Sequence, residues 1–200
     1  MNKKSNVGFM NDLGWHIYLG RIPHSKDSSF WVSFESDPKL TKTKSNIYNR
    51  CLPCIQNLYQ QLKKGCTSIT LGTAYNCWKI TATVNDLDGC MSLLYEFEKR
   101  FSGTHVWGKF GSGRPNSATH AVVFHAENIE DRDRLHSALE KCINQVDRQA
   151  DVQISRACAV LYDDLLGDWR NWKETTPIIK PEMVGKLLER LKQILYRSSM

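Results

Sequence analysis

The amino-acid sequence predicts an α+β fold, and three observations indicate it. Between residues 78 and 157, strand-like and helix-like patterns follow one another in the order strand, helix, strand, strand, helix, strand. Each of the two predicted helices begins after a residue that can cap a helix N-terminus. In addition, 41% of the 200 residues are hydrophobic, which suffices for a buried core.

The first region, residues 1–77, predicts two strands followed by a helix. Residues 14–22 and 29–35 are rich in aromatic and β-branched side chains, which are typical of strands, and a polar hairpin loop separates them. Residues 36–46 are polar and rich in lysine, and they predict an exposed connector. We expect these strands to extend or cover the sheet formed by the region that follows.

A helix is predicted over residues 53–64, and a strand over 67–72. Pro53 suits the first helical turn, so Cys51 is expected to precede the regular helix. Gly65 is a typical helix stop. The apolar face at three- and four-residue spacing comprises Ile55, Leu58, Tyr59 and Leu62.

The central region, residues 78–157, begins with a predicted strand over 78–84. Asp86 and Asn128 can each accept backbone N–H groups of a first helical turn, and an apolar stripe follows each of them. The remaining predicted strands span 105–110, 119–124 and 151–154. This order of elements is that of a ferredoxin-like plait, in which two helices cover one face of an antiparallel sheet.

The last region, residues 158–200, predicts two helices that complete the core. One spans residues 161–172, and the other begins at Pro181. The second has a wide apolar stripe of Val184, Leu187, Leu188, Leu191, Ile194 and Leu195. Such a stripe suits either a helix used within one subunit or one that also joins two copies as a homodimer.

The candidate ligand site is a basic, glycine-rich loop in the middle of the central region. Gly111 and Gly113 allow consecutive N–H groups to form an anion-binding concavity. Lys109 and Arg114 add positive charge suited to phosphate. The predicted hydroxyl donors are Ser112, Ser117 and Thr119.

The central region resembles an RNA-recognition motif in its order of elements. Residues 121–131 are similar to that family's third strand running into its second helix. Where the family places exposed aromatic residues for base stacking, this sequence has Thr119 and Ala121. The resemblance therefore implies the plait fold and not the family's usual RNA-binding face.

Three histidines on the predicted hairpin suggest an alternative enzymatic function. If Phe110 lies near Thr119, His105 lies opposite Phe124 or His125, and a histidine pair could move protons. His105, His120 and His125 are thus candidate catalytic residues of a metal-independent phosphodiesterase or ribonuclease. The sequence resembles two-histidine phosphoesterases in its strand histidines, but His105-Val-Trp and His120-Ala-Val lack their His-x-Ser/Thr motif.

The cysteines and the acidic residues predict neither a bound metal nor a cofactor. Seven cysteines at irregular spacing favour buried thiols over a zinc site or a redox pair, although Cys51-Leu-Pro-Cys54 has the spacing of either. The acidic residues Asp163, Asp164 and Asp168 are typical of a solvated helix face rather than of a magnesium site.

Charge and hydropathy restrict the partners. A net charge of +6 permits a polyanionic partner, namely RNA or a phosphate-bearing small molecule, without forming a dense basic stripe. No apolar run reaches the roughly 18 residues that cross a bilayer, so no membrane partner is expected. No secretory signal pattern follows Met1, and the predicted location is cytoplasmic.

Overall fold

The computed structural model describes residues 14–21, 30–36, 47–112, 119–147 and 150–197. Within these ranges the fold is α+β, as predicted. The strands are β1 (His16–Arg21), β2 (Phe30–Glu35), β3 (Ser68–Thr70), β4 (Trp78–Val84), β5 (Trp107–Gly111), β6 (His120–Ala126), β7 (Val152–Arg156) and β8 (Thr175–Pro177). The α-helices are α1 (Ile47–Lys63), α2 (Thr73–Asn76), α3 (Leu87–Phe101), α4 (Ile129–Val146), α5 (Ala159–Leu166) and α6 (Val184–Arg197).

Six of the described strands form one antiparallel sheet with the order β1-β2-β5-β6-β4-β7. The N-terminal strands therefore extend the sheet beside β5, which is one of the two predicted arrangements. Strands β3 and β8 pair separately as a small two-stranded sheet. No described helix is long and apolar enough to cross a lipid bilayer.

Both predicted helix caps are confirmed. The Asp86 carboxylate accepts a hydrogen bond from the Gly89 backbone N–H at 2.7 Å, where α3 begins. The Asn128 side-chain oxygen accepts one from the Asp131 N–H at 2.7 Å, where α4 begins. Each cap satisfies a backbone donor that the helix itself leaves without a partner.

The prediction for α1 was wrong at its start. The helix begins at Ile47, so Pro53 lies inside it and Cys51 belongs to the regular helix. Proline removes one backbone hydrogen bond and crowds the preceding turn, at a cost of about 3 kcal/mol in a helix interior. Pro53 is exposed, while Ile55 and Leu58 are fully buried, and the burial of this apolar face offsets that cost.

The larger core lies between the sheet and helices α3 and α4. Its centre is a set of aromatic rings in contact, in which Phe124 meets Phe34 and Phe97 edge to face. Gly108 allows β5 to approach this cluster closely. A Cβ at that position would lie 1.9 Å from the Val123 carbonyl oxygen and 3.0 Å from the Phe34 ring.

A second core combines residues that come before and after the central region in the chain. Helices α1, α5 and α6 bury Leu58, Leu165 and Leu191 against one another, together with the β3 and β8 strands. Helix α6 packs against α1, and the two helices bury their apolar faces in this core. Trp169 packs against both cores.

The predicted helix over 161–172 is shorter in the structure. Helix α5 ends at Leu166, and Gly167 follows with φ of 71°, a conformation that favours glycine. A 3-10 turn, Trp169–Asn171, then leads into β8. Asp168 caps this turn by accepting the Arg170 N–H at 3.0 Å.

Candidate anion-binding site

The second face of the sheet has a row of polar and aromatic residues, one on each of five neighbouring strands. We name this set the polar row: Glu35, Trp107, His125, Lys79 and Ser155. Glu35 is opposite Trp107, His125 is opposite Lys79, and Lys79 is opposite Ser155. The row is produced by strand register, since alternate residues of each strand point to opposite faces.

Alternation explains why these residues share the face away from α3 and α4. On β4, Trp78, Ile80 and Ala82 enter the larger core. Lys79 lies between them in sequence and must point the other way. The same argument places His125 opposite in direction to its neighbours Phe124 and Ala126, which are core residues.

Lys109 lies next to the polar row, two residues from Trp107 along β5 and therefore on the same face. It pairs with Ser33 on β2 and with Val123 on β6. Its ammonium nitrogen lies 3.9 Å from the centre of the Trp31 ring, a cation–π contact. Burial, together with the nearby charge of Lys79, lowers the pKa of Lys109 to about 7.

Lys79 is the second cation on this face. Burial lowers its pKa, and the thiols of Cys158, Cys77 and Cys51 act in the opposite direction. From sheet spacings, the Cα atoms of Lys79 and Lys109 are about 12 Å apart. Two long side chains of like charge thus share a desolvated surface, where a bound anion would stabilise both protonated forms.

His125 and Trp107 form the middle of the row. The two rings stack with centroids 4.5 Å apart and planes 7° from parallel. His125 is 5% exposed and Glu35 is 3% exposed, so both groups are held inside the protein. The arrangement brings cations, an imidazole and indole rings together on one face of the sheet, which is chemistry suited to a phosphate attached to an aromatic base.

The predicted loop lies only partly within the described residues. Lys109 and Gly111 belong to β5, and Gly111 has φ of 135°, which favours glycine. Ser112 is half-buried and Thr119 is exposed. Gly113, Arg114 and Ser117 lie outside the described residues, so the anion-binding concavity stays a prediction.

The structure does not bring the three candidate histidines together. Phe110 pairs with Val122 rather than Thr119, so Trp107 and not His105 contacts His125. His105 is exposed and precedes β5. His120 pairs with Val84, a residue of the larger core, and thus lies on the opposite sheet face, about 16 Å along β6 from His125.

Cysteine and carboxylate side chains are common metal ligands. Within the described ranges, no group of three or more His, Cys, Asp or Glu side chains is arranged to hold a metal ion. Asp168 instead pairs with Arg170 at 3.2 Å. Burial, with the charges of Asp168 and Asp164, raises the pKa of Asp163.

A cluster of arginines and aromatic rings occupies the edge of the larger core. The Arg156 guanidinium lies 3.8 Å from the Trp78 ring centre and 4.2 Å from that of Tyr75. Arg132 lies 4.4 Å from the Trp78 ring, and Trp169 meets that ring edge to face. No local signal in the sequence indicates this cluster, because it depends on the pairing of β4 with β7.

Sequence reasoning missed most of the polar row for a similar reason. One signal was present: the apolar alternation of Trp78, Ile80 and Ala82 already placed Lys79 on the other face. Which strands would neighbour β4 depends on long-range pairing. Without that pairing, nothing in the sequence places Lys79 near Lys109.

Comparison with known proteins adds no further assignment. No protein-family model matches the chain, and searches of curated proteins and of solved structures found no match.

Proposed function

We propose that this protein binds RNA or a nucleotide-like phosphate ligand on the sheet face that contains the polar row. The observation that carries the proposal is the pair of desolvated lysines, Lys79 and Lys109, on one surface with Trp31 and Trp107. A phosphate would neutralise the ammonium groups, and a base would stack on an indole ring. The proposed ligand site thus extends from the glycine-rich loop to the neighbouring sheet face.

The chain order of the central elements supports a ferredoxin-like plait. Along the chain the elements are β4, α3, β5, β6, α4 and β7, and in the sheet the strands lie in the order β5-β6-β4-β7. Sheets of this kind are used for nucleic-acid binding in other proteins, which is an argument by analogy. The residues of the polar row supply the physical argument.

Titration calorimetry with a short single-stranded RNA and, separately, with a nucleoside triphosphate tests the proposal. We expect the Lys79→Met, Lys109→Met double variant to lose at least tenfold in affinity, because each lost phosphate contact is worth on the order of 1 kcal/mol or more. Lys141→Met is the matched control, since Lys141 is exposed on α4. Equal affinities of the double variant and the control would exclude the site.

The dependence of ligand affinity on pH and on salt concentration tests the proposal further. An anion stabilises the protonated amine, so binding should raise the pKa of Lys109 above about 7 and take up a proton at pH 8. Affinity should therefore increase as the pH falls from 9 to 6. It should also weaken as salt rises from 50 to 200 mM, because phosphate contacts release counterions.

Of the three histidines predicted for the alternative enzymatic function, His125 is the one that lies in the polar row. His125, beside the lysines, would move a proton, while Lys79 or Lys109 would stabilise developing negative charge. Incubation with RNA and with cyclic nucleotides, followed by chromatography, tests for cleavage. Turnover by wild type that His125→Ala abolishes would support it; unchanged substrates would exclude it.

Homodimer formation through α6 is the remaining proposal about partners. The apolar stripe of α6 packs largely into the second core, where Leu187, Leu191 and Ile194 are buried. Tyr196, at 59% exposure, is the large hydrophobic side chain that α6 leaves at the surface. Light scattering at micromolar concentration decides: the mass of one chain, unchanged on concentration, excludes the dimer.

A further inference from the structure

The second core contains a group of thiols that the proposed ligand site does not use. Cys51 and Cys54 lie on α1, and Cys158 immediately precedes α5. Cys54 and Cys158 are each 4% exposed, whereas Cys51 is half-buried and packs against the same core. Hydrogen bonding with Cys51 and Cys54, together with burial, raises the pKa of the Cys158 thiol well above its ordinary value.

Helix geometry places Cys51 and Cys54 at a separation that a disulfide can span. Residues three apart in an α-helix have Cα atoms about 5 Å apart, inside the roughly 4.4–6.8 Å range of disulfides. Pro53 lies between them and lacks the N–H that would otherwise bond to the preceding turn. The backbone around the two cysteines therefore has one hydrogen bond fewer than a regular helix.

The surroundings of Cys54 stabilise its thiolate. The Cys54 sulfur and the Thr73 hydroxyl oxygen are 3.5 Å apart. A hydrogen bond from Cys158 is the largest influence, and with that of Thr73 it lowers the pKa of Cys54 to about 7 despite burial. By contrast, burial raises the pKa of Cys77 to about 12.

We propose that Cys51 and Cys54 form a dithiol that exchanges with low-molecular-weight disulfides, with Cys158 as the positioning residue. The half-buried Cys51 thiolate attacks the small disulfide, which forms a mixed disulfide and releases one small thiolate. The Cys54 thiolate then attacks the Cys51 sulfur and displaces the second small thiolate. The two protein thiols are thereby oxidised, the small disulfide is reduced by two electrons, and the two protons pass to the released thiolates.

Peptide mapping of the full chain tests the reaction without any substitution. Trypsin cleaves after Arg50 and Lys63, so the peptide 51–63 contains Cys51 and Cys54 and no other cysteine. After incubation with glutathione disulfide and blocking with iodoacetamide, we expect this peptide to be two hydrogens lighter and unalkylated. The peptide 65–79, which contains Cys66 and Cys77, is the internal control and should stay alkylated at both cysteines.

Several outcomes would overturn the proposal. Alkylation of both cysteines in peptide 51–63 would show no exchange, and a link between Cys54 and Cys158 would refute the pairing. Equal oxidation of peptides 51–63 and 65–79 would show unselective chemistry. With Cys54→Ser, the reaction should stop at a glutathione adduct on Cys51; an unmodified Cys51 would refute its role as the entry sulfur.

The role of Cys158 is tested by the pH dependence of the exchange rate. Cys158→Ala should shift upward the pH midpoint of the second step, in which Cys54 attacks the Cys51 sulfur, and slow that step at pH 7 by roughly tenfold, since less Cys54 thiolate is present. Cys158→Ser keeps a hydroxyl donor and should restore much of the rate. A merely structural role predicts no shift in the midpoint, and identical profiles for the alanine variant and wild type would exclude the assignment.

Discussion

Trp107 and His125 lie face to face on neighbouring strands, with ring centroids 4.5 Å apart and planes 7° from parallel. Because His125 is also opposite Lys79, this stack fixes an imidazole beside a desolvated cation. The same stack therefore holds β5 against β6 and fixes the position of His125 in the proposed ligand site.

Loss of this stack should lower the stability of the fold. We expect His125→Ala to reduce the free energy of unfolding by about 1–3 kcal/mol, because a buried ring and an aromatic pair are lost. His125→Phe keeps a ring and should lose less. Urea unfolding followed by tryptophan fluorescence measures both, and equal losses for the two variants would contradict the importance of the stack.

Stability should rise with pH between about 7 and 9, in part because of Lys109. Its pKa is about 7 in the folded protein against an ordinary 10.5, so the unfolded chain binds more protons in this range. That difference increases the free energy of unfolding by up to about 1.4 kcal/mol per pH unit. Lys79 and Cys54 contribute with the same sign, since their pKa values are also lowered.

The variant Lys109→Met isolates the lysine contribution to that slope. Its free energy of unfolding should depend less steeply on pH than that of wild type, and it should exceed the wild-type value most clearly at pH 7. Denaturant unfolding at pH 7, 8 and 9 provides the comparison, with Lys141→Met as the control. Parallel slopes for all three proteins would contradict a depressed pKa at Lys109.

Gly108 should tolerate no larger side chain. In Gly108→Ala the new methyl group would lie 1.9 Å from the Val123 carbonyl oxygen, so β5 and β6 would have to separate. We expect insoluble protein or a loss of several kcal/mol. Gly185→Ala is the matched control, because nothing lies within 4 Å of its added Cβ, and it should raise stability by about 0.5–1 kcal/mol.

Arg156 should contribute to stability through its hydrocarbon stem more than through its charge. The side chain is 7% exposed, and its guanidinium stacks on two rings. Arg156→Met keeps the stem and removes a buried charge, so its melting temperature should equal or exceed that of wild type. Arg156→Ala should lower stability by about 1–3 kcal/mol, and similar losses for both variants would show that the charge matters more.

Local signals in the sequence predicted the elements better than their arrangement. Asp86 and Asn128 were identified as caps because a cap depends on residues three positions apart. Pro53 was misplaced because the local preference for a first-turn proline gave way to the burial of Ile55 and Leu58. The predicted hairpin register was wrong: Phe110 pairs with Val122 and not with a residue near Thr119, and this pairing is not readable from the alternation of either strand alone.

The site was less predictable than the fold. Lys109 was identified, but as part of a loop, whereas its ammonium group lies over Trp31. That contact joins residues far apart in the chain, and neither residue indicates the other. The alternation of β4 indicates which face Lys79 occupies, but it does not indicate which residues of other strands lie beside it.

The second core is built from segments that lie before and after β4–β7 in the sequence, and this order affects folding during synthesis. Helix α1 leaves the ribosome well before α6, its main partner, and the whole segment that contains β4 to β7 is synthesised between them. During that interval the apolar face of α1 has no permanent cover, which invites engagement by chaperones or by other nascent chains. Ribosome-bound fragments ending between residues 157 and 184 should therefore be the most prone to aggregate.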